Sequence, residues 1–331
     1  LSACGVAGPG GALPIIYMTG HGDVPLAVQA MVVRLMADAA AGADSGPRGS
    51  MVKLRWSELT QQATALWVEA LGPKAQHFAA LDDDSLRAAQ CAAHLLHTTP
   101  SRAMLSDALA QYLAARNWRK ALLLQGPLPG DALMTEAFNR SAKRFGIKVV
   151  AQKPFKLTGD PRDRDLANTR LLTNDRGHDV VVVMDSDGEF ARTLPYATQW
   201  PRPVVGANGL VATAWHPQWE RYGGPQLTRR FVKLVDRSMQ GTDWAAWAAG
   251  RAVATVLAEN PKAPVAQQLK ALRGGSTTLD GFKGRTLSFR AWDGQLRQPL
   301  FLSHVDGVVG TAPLDGVLHP KEVLDTLGVD Q

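Results

Sequence analysis

The side chains best able to do chemistry follow two apolar runs. Asp179–Met184 (DVVVVM) leads directly into Asp185-Ser186-Asp187-Gly188-Glu189, and Pro203–Ala207 leads into Asn208. Three carboxylates within five residues, where a buried strand ends, suit recognition of a cationic or polar ligand group, or of a metal ion. In open parallel sheets ligands collect beyond the carboxyl ends of strands. The same residues would serve equally as a helix N-cap with solvated acids in the first turn. Trp215, in the loop Trp215-His216-Pro217, offers an aromatic wall for a small molecule. Trp244 and Trp247 lie at helical spacing and are expected as core anchors. Ser101 and Arg102 open a further helix, whose first amides and guanidinium would suit an anionic group; the alternative is that Ser101 only caps that helix.

Other chemistries lack their signatures. GxSxG, a P-loop, HExxH and a GxGxxG after a strand are all missing, so no catalytic residue is expected and the chain reads as a non-enzyme. His94 and His97 are three apart, but HLLHTTP reads as extended before Pro100, and two histidines do not make a metal site. Cys4 and Cys91 have no CxxC or ligand-like partner spacing. No metal or cofactor is expected. The formal charge is +6, yet the basic residues are scattered, with only short pairs such as Lys143–Arg144 and Arg229–Arg230. Nucleic-acid binding needs a stripe or patch, so that partner is not expected. No apolar run approaches the ~20 residues of a membrane-spanning helix, so direct membrane insertion is not expected either. Leu1 opens the chain and no secretory leader pattern is visible, which predicts a cytoplasmic location for the chain as it stands.

These candidates need elements to hold them. Periodicity predicts a helix over Ser101–Arg116, a strand over Lys120–Gln125, a loop over Gly126–Asp131 and a helix over Ala132–Phe145 stopped by Gly146. A strand at Ile147–Ala151, a helix at Arg164–Asn174, the strand Asp179–Met184, a short helix at Glu189–Thr198 and the strand Pro203–Ala207 follow. Strands alternating with helices at this spacing argue for an α/β fold with a parallel sheet. Helices are expected at Pro225–Met239, Trp244–Glu259 and Val265–Leu272. A hairpin is expected to follow, with arms Arg285–Trp292 and Gln295–Ser303 about the turn Asp293-Gly294.

The first 82 residues differ in texture. Leu13–Met31 holds a short apolar run, Ile15–Met18, then Thr19-Gly-His-Gly-Asp23 and a helical stripe from Pro25. It resembles the fourth strand and helix of response-regulator receiver domains, Thr19 matching their phosphoryl-sensing threonine. The phosphoacceptor aspartate and the strand with its lysine have no counterpart here, so phosphorelay activity is not expected. Residues 1–50 therefore read as a receiver-like fragment and linker, and residues 51–82 as an unassigned helical segment around Ser57–Leu71.

Residues 83–330 carry Asp84-Ser-Leu-Arg87, His94-Leu-Leu-His97-Thr-Thr-Pro100-Ser-Arg-Ala-Met104, Thr213-Ala-Trp215-His-Pro217, Asp243-Trp-Ala-Ala-Trp247, Gly281-Phe-Lys-Gly284 and Trp292-Asp-Gly-Gln-Leu-Arg-Gln-Pro299. On these residues the region resembles the substrate-binding proteins of ABC importers, of the branched-chain-amino-acid-binding type, and within them the subfamily associated with PQQ-dependent alcohol dehydrogenase systems. The resemblance implies a type I periplasmic-binding-protein (Venus flytrap) fold of parallel sheets flanked by helices, a periplasmic location, a small polar ligand and an ABC permease as partner. The first lobe is expected to be incomplete, because residues 1–82 do not match that family. Ser101 and Arg102 would stand on the first-lobe side of a ligand crevice, with Asp185, Asp187, Glu189, Asn208 and Trp215 on the second. The competing reading is a cytoplasmic ligand-sensing or response-regulator-related signalling protein.

Overall fold

The computed structural model describes residues 15–17, 95–259, 262–316 and 318–328. Thr19, the rest of the receiver-like stretch, the helix expected at Ser57–Leu71, Cys4, Cys91 and His94 lie outside the described residues. Two compact units are present. Unit 1 comprises the described residues through Thr99 together with Glu220–Gln298; unit 2 comprises Pro100–Trp219 with the residues from Pro299 onward.

In chain order, β1 (Ile15–Tyr17) pairs in parallel with β2 (Leu95–His97), Ile15 opposite Leu95. Helix α1 (Arg102–Ala115) follows, N-capped by Ser101, whose hydroxyl accepts the Met104 amide at 3.1 Å. Strand β3 (Lys120–Gln125) leads to α2 (Pro129–Phe145) and β4 (Lys148–Pro154). Helix α2 begins three residues earlier than the sequence suggests. Proline is pre-organised for a first helical turn, and the Asp131 carboxylate reaches back to the Leu128 amide at 2.9 Å. Its end at Gly146 (φ 69°) is as expected.

The helix expected over Arg164–Asn174 is two single turns, α3 (Arg164–Ala167) and α4 (Thr169–Leu172). Asn168 breaks it by capping the second piece, its Oδ1 accepting the Leu171 amide at 3.1 Å. Strand β5 (Val180–Met184) precedes α5 (Leu194–Ala197), and then come β6 (Val204–Gly206) and β7 (Val211–Thr213). In unit 1, α6 (Gly224–Val235), α7 (Gly241–Glu259) and α8 (Val265–Arg273) precede β8 (Leu279–Asp280), β9 (Thr286–Phe289) and β10 (Leu296–Arg297). The chain closes with β11 (Leu300–His304) and β12 (Gly307–Ala312) in unit 2.

Unit 2 is built on a parallel sheet of order β4-β3-β5-β6. Its core explains the uninterrupted apolar run of β5. Val180, Val182 and Met184 pack on one face with Leu123, Met104 and Phe138, while Val181 and Val183 pack on the other with Leu122, Leu124, Phe155 and Phe190. A strand covered on both faces needs apolar residues at every position. A second, antiparallel sheet, β12-β11-β7, adds Leu300, Leu302 and Ala312 to the first face.

The hairpin expected near the C-terminus is divided between the units. Its first half closes as expected, β9 pairing with β10 through Phe289–Leu296 across Asp293-Gly294. Pro299 cannot donate to a ladder and ends that arm. Leu300–His304 then pairs with β7 and β12 instead. Trp244 and Trp247 are buried on α7, as their spacing suggests. Among the described residues no helix is long and apolar enough to cross a membrane.

Candidate ligand-binding site

The parallel sheet of unit 2 brings the carboxyl ends of β3, β5 and β6 to one edge, because all its strands run the same way. Three loops meet there. The loop after β3 carries Gly126 and leads to Asp131, fully buried in the first turn of α2. Asp131 accepts the Ser186 amide through Oδ1 at 2.6 Å as well as the Leu128 amide, so one carboxylate joins the loop after β3 to the loop after β5. A side chain at Gly126 would run into that carboxylate, which is why glycine stands there.

The loop after β5 holds the acidic group. Asp185 is buried and accepts the Ala191 amide at 2.7 Å. Burial raises its carboxyl above the usual value, the Ala191 amide opposes this, and the neighbouring Asp187 adds to the rise. Asp187 is exposed; its Oδ1 accepts the Glu189 amide at 3.0 Å, and that bond, with the neighbouring Asp185 carboxyl, lowers its own. Each carboxyl shifts the other, Asp185 upward and Asp187 downward, so a proton is favoured on Asp185. Glu189 is exposed beside them.

The loop after β6 supplies Asn208. Its Nδ2 donates to the carbonyls of Ala191 and Arg192 at 3.0 and 3.2 Å, and its Oδ1 accepts the Gly209 amide at 2.7 Å. Asp185 and Asn208 thus hold Ala191 by its amide and its carbonyl. With these backbone groups engaged by side chains, the helix expected over Glu189–Thr198 forms only at Leu194–Ala197.

The structure therefore brings Asp185, Asp187, Glu189 and Asn208 to one strand-end platform. Asp185 and Asn208 build it, while Asp187 and Glu189 present carboxylate oxygens outward. The remaining candidates stand elsewhere in unit 2. Trp215 is only 1% exposed, with its ring 5.9 Å from that of Phe301 on β11. Ser101 is buried with its hydroxyl in the helix cap, and Gly328 packs on it: a Cβ there would lie 3.2 Å from Ser101 Oγ and 3.1 Å from the Met104 amide nitrogen. Asp107, one turn along α1, accepts the Gly328 amide at 2.7 Å. The start of α1 is thus covered by the C-terminal segment, and the capping role of Ser101 is the one observed. Ser101 and Arg102 also belong to the same unit as Asp185, and not to the other unit as the resemblance implies.

Asp131 escaped the sequence reading. The signal lay in Pro129-Gly130-Asp131, one short loop after a strand: a helix start with an acid at its third position. His97, considered with His94 for metal, is buried within β2, and among the described residues no group of three or more His, Cys, Asp or Glu is placed to hold a metal ion.

No protein-family model and no curated protein matches the chain. Solved structures do. The leucine-, isoleucine-, valine-, threonine- and alanine-binding protein from Brucella ovis, in a closed conformation, superposes with a TM-score of 0.60 at 12% identity, covering 87% of this chain and 88% of its own. The solute-binding protein of an ABC transporter from R. palustris, in complex with benzoate, gives 0.58 at 13% identity over 89% and 94%. An ABC transporter substrate-binding protein from Desulfitobacterium hafniense, in complex with Leu, gives 0.52 at 17% identity over 67% and 69%. The fold of this chain is that of the type I periplasmic binding proteins.

Proposed function

We infer that this chain is the small-ligand-binding component of an ABC importer, acting by reversible binding and not by catalysis. The observation that carries this reading is the strand-end platform of unit 2. Asp185 and Asn208 fix a loop from which Asp187 and Glu189 present carboxylates, on a fold whose solved examples are solute-binding proteins. A preorganised carboxylate pair favours a ligand with a protonated amine or several hydroxyl donors. An ABC permease is the corresponding partner, and the periplasm the corresponding location. The sequence motifs from Asp84 to Pro299 further resemble those of the subfamily associated with PQQ-dependent alcohol dehydrogenase systems, so small alcohols, polyols and amines join amino acids and aromatic acids as ligands to screen.

The test is thermal-shift and calorimetric titration of the purified chain with those ligand classes. A ligand bearing an amine or several hydroxyls is expected to raise the melting temperature, and Asp187→Ala with Glu189→Ala to weaken its binding at least tenfold. Failure of every class to bind, or binding that survives the double substitution unchanged, overturns the reading.

A further inference from the structure

Trp292 is the tryptophan that the described residues leave more than half exposed, at 58%. It stands in the turn between β9 and β10, and three guanidinium groups hold that turn. Arg290, fully buried, places its guanidinium carbon 5.6 Å from the Trp292 ring centre and its Nη1 3.4 Å from Asp293. Arg297 lies 5.2 Å from the same ring and donates to the Phe289 carbonyl at 3.1 Å. Arg273, in the last turn of α8, donates to the Ala291 carbonyl at 2.9 Å and to that of Trp292 at 3.5 Å. The backbone on either side of the indole is therefore tied down, and the ring rests against two cations.

A lone exposed apolar side chain needs no explanation. A tryptophan fixed in place by three arginines is different, because its ordering cost has already been met in the free protein. Tryptophan and arginine are also the residues most enriched among those that dominate protein–protein binding energy. Charge selects the occupant. Residues 220–298 carry thirteen Lys and Arg against six Asp and Glu, so the positive charge of the chain resides there. Lys270 is exposed on α8, one turn before Arg273. Asp293, the acid of the turn, is engaged by Arg290 and by the Gln295 amide at 2.9 Å. We propose that the Trp292 turn is a docking anchor for a partner protein that offers an apolar pocket rimmed by carboxylates. This surface is independent of the small-ligand reading, since it belongs to unit 1 and shares no residue with the strand-end platform.

The proposal is tested with the full chain and a fluorescent peptide alternating glutamate and leucine, by anisotropy. The wild-type chain is expected to bind it with an affinity that falls as salt rises. Trp292→Ala should lose about tenfold or more, and Arg297→Gln a smaller share. Removing an exposed indole should leave circular dichroism and the melting temperature unchanged. The triple reversal Arg229→Glu, Arg230→Glu, Lys233→Glu on α6 should cost much less than Trp292→Ala. Three results overturn the proposal: no peptide binding by the wild type, equal binding by Trp292→Ala, or a loss that follows net charge on either helix. Co-sedimentation with phosphatidylglycerol vesicles that requires Trp292, without peptide binding, would assign the turn to a lipid surface and likewise overturn it.

Discussion

Asp131 Oδ1 accepts the backbone amide of Ser186 at 2.6 Å, so a carboxylate at the start of α2 fixes the loop that follows β5. The two residues are 55 positions apart in sequence, and their bond brings together what the parallel sheet has only placed side by side. A buried carboxylate without partners would be costly; here each oxygen takes an amide, Leu128 on Oδ2 and Ser186 on Oδ1.

Asp131→Ala removes both acceptors from a fully buried position. Hydrogen bonds to a charged group are worth about 1.5–3 kcal/mol each, so the loss should reach about 2–4 kcal/mol in a urea titration. Asp131→Asn retains one good acceptor and should lose about half as much. Any ligand that binds the strand-end platform should bind both variants more weakly, because the loop bearing Asp187 is anchored through Ser186.

Asp185 and Asp187 divide the roles of support and display. Asp185→Asn keeps an oxygen for the Ala191 amide and removes the need to bury a charge, so it should change stability at neutral pH by less than about 1 kcal/mol. Asp185→Ala, which leaves that amide unpaired, should cost about 1–3 kcal/mol. The pH dependence separates them further. The carboxyl of Asp185 is raised in the folded state above its ordinary 3.8, so between the two values the folded protein holds a proton that the unfolded chain has released. Its contribution to stability therefore declines as pH climbs through that window, and Asp185→Asn should abolish the decline. A chemical-denaturation series from about pH 3 to 7 on the wild type and this variant measures it.

What the sequence disclosed tracks burial. Strands β3 and β5 and helices α1 and α2 were legible because each has a covered face or two, which writes a continuous apolar run in the strands and a helical spacing in the helices. Strands β7 and β12 escaped, being half-exposed with weak alternation. The expected hairpin arm Gln295–Ser303 runs through Pro299, although the segments before and after it pair with different sheets. Of the site, the acids after β5 and Asn208 after β6 could be read from strand-end position alone. Asp131 could not, because its role is a long-range bond to Ser186. The burial of Ser101 under Gly328 was hidden in the same way, since nothing local announces that the C-terminal segment returns to the start of α1.

Gly206, at the platform, should tolerate no side chain. Its φ of 114° is one that residues with a Cβ rarely adopt, and a Cβ there would collide with the carbonyl oxygen of Val183 on the neighbouring strand. Gly206→Ala should cost about 2 kcal/mol or more, since conformational strain and a backbone clash add. Gly188 provides the comparison. It also has positive φ, 73°, but a Cβ there would meet nothing within 4 Å, so Gly188→Ala should cost only about 1–2 kcal/mol. Equal costs in thermal unfolding would show that the Val183 contact plays no part.

His178 makes unit 2 sensitive to mild acid. The imidazole precedes β5, is 1% exposed, and neither ring nitrogen has a hydrogen-bond partner. Burial lowers its affinity for a proton below the ordinary 6.5; Arg202 and Lys153 push the same way, while Asp175 and Asp179 oppose them. The folded protein therefore keeps the ring neutral at a pH where the unfolded chain has begun to protonate it. Stability should be level with respect to this group above about pH 6.5, then fall as pH drops from the unfolded value through the depressed folded one. His178→Phe removes the proton site and keeps an aromatic ring in the same space, so its urea midpoint should change less between about pH 7.5 and 5.5 than that of the wild type. The imidazole resonances of the wild type, followed by NMR, should include one that titrates below 6.5 and is lost in the variant. A wild-type midpoint with the same pH dependence as the variant would mean that the ring finds a proton-stabilising partner and stays charged inside the fold.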